Sequence, residues 1–206
     1  MDKNQAGPVR DVIVIGGSQG SVEVLRTLLG ELPMPFPAAI LIVIHTPTSS
    51  NGDMASILGR YTDLPVAYAN DGDVIEPGRV YLAPPDRHLE VVSPGHIRLS
   101  DGPLVRNSRP AADRLFSTAA QTFGSRVISL ILSGGDCDGS DGANAIVAAA
   151  GISLVQEPKD AQVASMPLHA IQTDHPRAIL EKHAMGAALM AAVTGCIKVD
   201  IEPLRP

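Results

Sequence analysis

Apolar and polar positions along the chain alternate in blocks that are typical of strands followed by helices. The first block, Val12 to Ile15, is too short and too β-branched for the start of a helix, which predicts a strand. After it, apolar residues recur at a spacing of three to four from Val22 to Leu29, which predicts an amphipathic helix from about Ser21 to Gly30. Further apolar runs, suited to buried strands, lie at 38–44, 127–132 and 152–156.

The remaining blocks continue this alternation. Helices are predicted at about 53–59, 111–123, 143–150 and 181–193, with a short helix opening at Met166-Pro167. Short strands are predicted at 65–68 and 178–180. Runs that are apolar on both faces suit a sheet covered by helices on both sides. The order therefore predicts an α/β fold of the doubly wound class, with a mainly parallel sheet and right-handed crossovers.

The sequence pattern changes between residues 71 and 100. Turn-forming pairs such as Pro77-Gly78 and Pro94-Gly95 separate three short β-like runs. These runs are Arg79–Ala83, His88–Val92 and Ile97–Ser100. We interpret this stretch as a small β-hairpin unit inserted into the α/β pattern.

Composition limits the domain organisation and the class of partner. A chain of 206 residues with 45% apolar content can bury one core, so we expect a single domain over 11–195, a polar leader over 1–10 and a tail over 196–206. The net charge of −6 and the lack of a basic run argue against nucleic-acid binding. The leader has no apolar core and no run reaches about 18 apolar residues, so we expect a soluble, cytoplasmic protein without membrane insertion.

Cysteine and carboxylate spacing gives little support for a metal or a disulfide. Cys137 and Cys196 form no Cys-x-x-Cys pair, so neither a disulfide framework nor a zinc site is predicted. Asp136, Asp138 and Asp141 resemble a calcium loop, but the twelfth position counted from Asp136 is Val147, which cannot ligate. We expect no metal and no cofactor.

The turn after the first strand is the main candidate for chemistry. Gly16-x-Ser18-x-Gly20 has the spacing of a nucleophile elbow, in which a serine is raised above a parallel sheet. The alternatives are a helix cap or a phosphate-loop residue. A dinucleotide site is disfavoured because the glycines do not form Gly-x-Gly-x-x-Gly, and the second strand ends in His45 where a ribose-binding carboxylate is expected.

Polar residues follow three predicted strands at the edge where ligands bind in α/β sheets. These are Ser18, His45 and the loop 136–141. A serine needs an imidazole to take its proton and a carboxylate to orient that imidazole, so the three together predict acyl transfer. The backbone N–H groups after Ser18 could stabilise an oxyanion. The alternative for His45 alone is a structural histidine.

These residues carry a resemblance to a known family. From about Val12 to Val193 the sequence resembles the catalytic domain of the chemotaxis protein-glutamate methylesterases, the CheB type. The shared segments are 14–20, 44–47, 71–84, 109–113, 132–139 and 166–167. The resemblance implies a Ser18, His45 and Asp138 triad that hydrolyses glutamate methyl esters on the cytoplasmic helices of methyl-accepting chemoreceptors and releases methanol. The rate should then rise with pH through the imidazole pKa, since only neutral His45 acts as a base.

The sequence departs from the family at three positions near this predicted site. Gln19 stands where the family has threonine, Gly135 where it has methionine, and Asp136 where it has glycine. The resemblance implies an oxyanion turn made by Gln19, Gly20 and Gly135, and Asp136 adds negative charge where an alkoxide must form. An alternative to the esterase is therefore a catalytically weak or inactive regulatory or binding protein that keeps the fold.

Only a few residues of the sequence give information on regulation and substrate binding. The family's receiver domain is not in this sequence, which is expected either of a stand-alone esterase or of a domain excised from a longer protein. Met1 and the short leader favour the stand-alone esterase, which a separate regulatory protein could control. Arg106 and Arg109 are candidates for orienting an acidic substrate, with surface salt bridges as the alternative. Met166 and Pro167 are predicted to shape the pocket, with core packing as the alternative for Met166.

Overall fold

The computed structural model describes residues 9–45, 53–174 and 176–195 of the chain. Residues 46–52, which follow His45, and the predicted C-terminal tail lie outside the described residues, as does most of the predicted leader.

The described residues form one parallel sheet of seven strands and a separate two-stranded hairpin. The strands are β1 (Val12–Gly17), β2 (Ala39–Ile44), β3 (Val66–Tyr68), β4 (Val80–Leu82), β5 (His88–Val92), β6 (His96–Ser100), β7 (Val127–Ile131), β8 (Ile152–Gln156) and β9 (Ala178–Leu180). The helices are α1 (Ser21–Glu31), α2 (Met54–Gly59), α3 (Ala112–Phe123), α4 (Ser140–Ala148), α5 (Ser165–Asp174) and α6 (Met185–Val193). The order in the main sheet is β3-β4-β2-β1-β7-β8-β9, which confirms the doubly wound prediction.

Helices cover both faces of the sheet because the central strands are apolar on both sides. In β1, Ile13 and Ile15 pack into a cluster with α1 and α6, whereas Val12 and Val14 pack into a second cluster with α3, α4 and α5. All six residues of β1 and all six of β2 are buried. Burial of apolar surface at about 25 cal/mol per Å² makes these two layers the main source of stability.

The prediction of an inserted β-hairpin unit between residues 71 and 100 is partly wrong. The hairpin β5–β6 is confirmed, and Val91 of β5 ties it to α3 by donating its backbone N–H to Thr118 Oγ1 at 3.0 Å. The run 79–83, however, forms β4 of the main sheet, where Val80 lies between Ile40 of β2 and Val66 of β3. All three residues of β4 are buried, and a strand that is apolar on both faces is stable only inside a covered sheet.

Two predicted helices differ from the structure. The helix expected from Ala143 begins earlier, at Ser140, because Gly139 takes a φ of 96° and lets the chain turn directly into α4. The helix expected over 181–193 divides into a 3-10 turn, Lys182–Ala184, and α6. Pro167 lies in the first turn of α5, where a missing N–H costs no helical hydrogen bond.

Strand register brings the carboxyl ends of three strands together. Gly17 pairs with Ile44, and Gly16 pairs with Ile131. The residues that follow β1, β2 and β7 therefore meet at one edge of the sheet, as the sequence predicts for Ser18, His45 and the loop 136–141.

Candidate active site

A tight turn between β1 and α1 holds Ser18. The Ser18 backbone N–H donates to the Ser133 carbonyl at 2.9 Å, and the Ser18 carbonyl accepts from the Ser21 hydroxyl at 2.6 Å. Gly20 has a φ of 86°, and a Cβ there would lie 2.6 Å from Gln162 Cβ and 2.7 Å from Ser133 Oγ. Glycine is therefore required at position 20, and the turn presents Ser18 at the start of α1.

His45 lies directly beside this turn at the end of β2. Its backbone N–H donates to the Gly17 carbonyl at 3.0 Å, which anchors it to the residue before Ser18. Its imidazole Nε2 lies 2.8 Å from Asp138 Oδ2. The histidine side chain is 14% exposed and the aspartate side chain is fully buried. The structure thus joins two of the three predicted triad residues by a hydrogen bond.

The N-terminus of α3 holds the Asp138 carboxylate in place. The backbone N–H of Asp113 donates to Asp138 Oδ1 at 2.9 Å, and that of Ala112 donates to Oδ2. Unpaired amides at a helix N-terminus favour a negative charge, so this buried carboxylate is compensated. Sequence reasoning identified Ala112 and Asp113 only as part of a shared segment, because their contribution is made by backbone amides, which no side-chain pattern reveals.

A second carboxylate occupies the other nitrogen of His45. Asp136 Oδ2 lies 3.0 Å from His45 Nδ1, while Asp136 Oδ1 accepts the Asp138 backbone N–H at 2.9 Å. The sequence predicts negative charge near the site from Asp136, but sequence reasoning missed this contact. The available signal was the Asp-x-Asp spacing, because an aspartate commonly accepts the N–H two residues later.

The two carboxylates change the proton affinity of the imidazole. Burial acts to lower the pKa of His45, but the hydrogen bonds and negative charges of Asp136 and Asp138 outweigh it and raise that pKa from 6.5 to about 9. For Asp136, burial acts to raise the pKa, and the bonds from His45 and the Asp138 N–H lower it below its usual value. At neutral pH His45 is thus an imidazolium between two carboxylates.

The turn and the facing loop offer backbone donors to the cleft. Across 9–45, 53–174 and 176–195, the N–H groups of Gln19, Gly20 and Gly135 donate to no acceptor, whereas the neighbouring Gly134 N–H donates to the Val163 carbonyl. Free amides on two facing segments are suited to an oxyanion. They are the three residues that the resemblance assigns to this task, and that assignment stays a prediction.

Gly134, in the loop after β7, lies close to both Ser18 and Met166 of α5. A Cβ on Gly134 would lie 2.9 Å from Ser18 Cβ and 2.0 Å from Met166 Sδ. Met166 is fully buried, and its backbone N–H donates to the Gly134 carbonyl at 3.0 Å. Met166 therefore packs in the core at the wall beside Ser18, and the adjacent Pro167 is buried as well. Their predicted contact with substrate stays a prediction.

Among the described residues, the Ser18 hydroxyl makes no hydrogen bond. The nitrogen of His45 that is not bonded to Asp138 faces Asp136 instead of this hydroxyl. The described site therefore contains the three predicted residues at one sheet edge, with the serine not engaged by the imidazole.

Arg106 and Arg109 are held by protein groups. Arg106 donates from Nε to Asp113 at 3.1 Å, from Nη2 to Asp141 at 2.5 Å and from Nη1 to the free thiol of Cys137 at 3.0 Å. Arg109 donates from Nε and Nη2 to Asp86, and from Nη1 to the carbonyls of residues 101 and 102. This is the salt-bridge arrangement named as the alternative, and a substrate-orienting role would require an exchange of partners.

The carboxylates that resemble a calcium loop do not converge. Asp136 and Asp138 face His45, whereas Asp141 pairs with Arg106. In the part of the chain that the structure describes, no three His, Cys, Asp or Glu side chains are arranged to hold a metal ion. No helix within those ranges is long and apolar enough to cross a membrane.

Comparison with known proteins supports the resemblance. The family model described as CheB methylesterase matches residues 13–189. A relative from Methanosarcina mazei, named protein-glutamate methylesterase/protein-glutamine glutaminase 2, is 37% identical over 166 residues. That match covers 77% of this chain and 45% of the relative, so the chain spans less than half of that protein's length.

Other matches extend over most of the length of the matched protein. A relative from Leptospira interrogans is 36% identical over 162 residues, covering 79% of this chain and 84% of the relative. The crystal structure of the Thermotoga maritima CheB methylesterase catalytic domain superposes with a TM-score of 0.84 at 30% identity, covering 89% of this chain and 98% of that domain. The shared architecture and the matched sequence together show that the chain belongs to the CheB methylesterase family.

Proposed function

We propose that this protein hydrolyses γ-methyl esters of glutamate side chains, with Ser18 as nucleophile, His45 as general base and Asp138 as the group that orients His45. The observation that carries the proposal is the 2.8 Å contact between His45 Nε2 and the buried Asp138 carboxylate, directly beside the Ser18 turn. A carboxylate on one imidazole nitrogen fixes the tautomer, so that the other nitrogen can accept the serine proton.

The reaction follows from these positions. Ser18 Oγ attacks the ester carbonyl as its proton passes to His45, and the carbonyl oxygen becomes an oxyanion that the free amides of Gln19 and Gly135 can bind. The intermediate expels methanol, which takes the proton from His45 and leaves an acyl-serine ester. Water then attacks that ester with His45 again as base, and the glutamate carboxylate is released.

The family membership supports a proposal for the substrate class. The Methanosarcina relative is named for both a methylesterase and a protein-glutamine glutaminase. Both reactions attack the γ-carbonyl of the same side chain, with methanol or ammonia as the leaving group, so one serine site can perform either. We propose glutamyl esters on cytoplasmic helices of chemoreceptors as the substrate, and the cytoplasm as the place of reaction.

A second candidate is a regulatory or binding protein with the same fold and little activity. The specific observation in its favour is Asp136, which occupies the His45 nitrogen that the serine needs. The two candidates differ in turnover, because a binding protein would retain the methyl ester indefinitely.

Hydrolysis of a helical peptide carrying a glutamate γ-methyl ester separates these candidates. We expect one methanol and one free glutamate for each ester consumed at pH 9, with His45→Gln as the inactive control. Stable binding of the peptide without methanol, by wild type at pH 7 and at pH 9, would favour the binding protein. A rate in His45→Gln equal to the wild-type rate would contradict the assigned base.

A further inference from the structure

Both nitrogens of a single imidazole are taken by carboxylates, and the two carboxylates are held very differently. Asp138 is fully buried and accepts two backbone amides from the start of α3. Asp136 is 34% exposed and has one backbone hydrogen bond, from the Asp138 N–H. Asp138 is therefore fixed, whereas the outer face of Asp136 reaches solvent and its side chain can turn away from His45.

From this asymmetry we propose that Asp136 is a positioning residue that acts as a gate: in the resting site it occupies Nδ1 of His45, and the site becomes competent when this carboxylate turns away and the Ser18 hydroxyl takes its place. The proposal rests on the proposed function, since it assigns the freed nitrogen to the Ser18 proton. It accounts for an intact His45–Asp138 pair in a site whose serine hydroxyl has no partner among the described residues.

Loss of one proton is what opens the gate. While His45 is an imidazolium, both nitrogens donate, and both carboxylates are bound. When Nδ1 gives its proton to water, Nε2–H still donates to Asp138, but the Nδ1 lone pair then faces the Asp136 carboxylate. Two acceptors repel each other, whereas the Ser18 hydroxyl can donate to that lone pair. Deprotonation thus replaces an attractive contact with a repulsive one at the exposed carboxylate only.

Of the charged groups around His45, Asp136 is the one whose movement controls access of the Ser18 hydroxyl to Nδ1. Among the described residues, Asp136 and Asp138 face the ring directly. Asp113 and Arg106 lie beyond them, joined to each other, and Arg106 also binds Asp141 at the start of α4. Arg106 is close enough for its charge to add to the lowering of the Asp136 pKa, and it is already paired with Asp113 and Asp141.

The test compares three variants by two readouts. Asp136→Asn keeps an oxygen for the Asp138 N–H and removes the charge, but it places an amide N–H that can donate to Nδ1, whereas Asp136→Gly removes the side chain and leaves Nδ1 free. Asp141→Asn is the matched control, because it removes the same charge from the same segment without touching His45. The readouts are the ¹⁵N NMR titration of the His45 nitrogens and the pH profile of peptide-ester hydrolysis.

For Asp136→Asn and Asp136→Gly we expect the His45 titration midpoint to fall by about one pH unit or more, and for Asp136→Gly we expect hydrolysis at pH 7 to rise about tenfold. At pH 10 the rate of Asp136→Gly should approach the wild-type rate, because the gate is then open in both proteins. Asp141→Asn should move the midpoint by no more than a few tenths of a pH unit, roughly the effect of a screened surface charge.

Two results would overturn the gate. One is a His45 titration in Asp136→Asn that coincides with wild type, and the other is an Asp136→Gly variant with a lowered midpoint and an unchanged or lower rate at pH 7. Failure of the proposed function looks different: Ser18→Ala would then hydrolyse the peptide as fast as wild type, whatever the His45 titration shows. The NMR spectrum of each variant also reports whether it is folded.

Discussion

The carboxylate of Asp138 lies 2.8 Å from Nε2 of His45, although the two residues are 93 positions apart in the chain. Parallel register places β2 and β7 on either side of β1, so the residues that follow them meet at the end of the strand that carries Ser18. The contact is therefore a consequence of sheet order, and the amides at the start of α3 fix its geometry.

The His45–Asp138 pair should be essential for rate. We expect Asp138→Asn to lower hydrolysis by about 10³ to 10⁴-fold, since an amide no longer orients or stabilises the imidazolium. Because the Asn side chain cannot accept from both α3 amides as a carboxylate does, we also expect a loss of about 1–3 kcal/mol in the free energy of unfolding. Urea denaturation and methanol release measure the two effects separately, and a variant with wild-type kinetics would contradict the assigned role.

The pH profile of the wild-type protein should lie further to the alkaline side than for an ordinary histidine. Because the pKa of His45 is raised to about 9, the neutral base is scarce at pH 7, and kcat/KM should increase up to about pH 9. The sequence predicts a rise with pH through the imidazole pKa, and the two carboxylates set where that rise occurs. A plateau already reached by pH 7.5 would show that His45 does not titrate as described.

The free energy of unfolding should also depend on the protonation of His45. The folded-state pKa of His45 lies above the unfolded value of 6.5, so its stabilising contribution is fully present below pH 6.5 and is lost as the pH rises through about 9. The loss should reach at most about 3–4 kcal/mol, because a tenfold change in proton affinity corresponds to about 1.4 kcal/mol. Urea unfolding at pH 6 and pH 9.5 measures it, and in His45→Gln this part of the pH dependence should disappear.

A buried serine should control the shape of the nucleophile turn. Ser133 Oγ donates to the Gln19 carbonyl at 2.7 Å and accepts the Val163 N–H at 2.9 Å. We expect Ser133→Ala to cost about 1–2 kcal/mol of stability and to lower kcat, because the turn that carries Ser18 loses its tie to the next loop. Ser129→Ala, in β7 just before this loop, is the control, since the one bond that its hydroxyl makes among the described residues is long at 3.4 Å. Equal kinetics in the two variants would mean that Ser133 does not position the turn.

Much of this arrangement could be predicted because it depends on local patterns. The runs that form β1, β2 and β7 are apolar on both faces, and the polar residues that follow them had to meet at one edge once the sheet was parallel. The position of β4 could not be predicted in this way. Whether a short apolar run joins a hairpin or a central sheet is decided by partners distant in sequence.

The details of the site depend on geometry that residue types do not encode. Asp136 and Asp138 reach the same imidazole because the loop folds back through the Asp138 N–H, and Asp138 is held by amides from a different helix. Backbone donors are present at nearly every position, so the sequence does not show which of them are free. The departure at Asp136 was visible in the sequence, and its effect on His45 required the structure.

The most direct test of the proposed mechanism is hydrolysis of the glutamyl methyl ester peptide at pH 9 by wild type and by Ser18→Ala, with Ser129→Ala as a matched serine control. We predict that Ser18→Ala lowers methanol release by at least about 10³-fold while Ser129→Ala stays close to wild type. Equal methanol release by Ser18→Ala and wild type would contradict the assignment of Ser18 as the nucleophile.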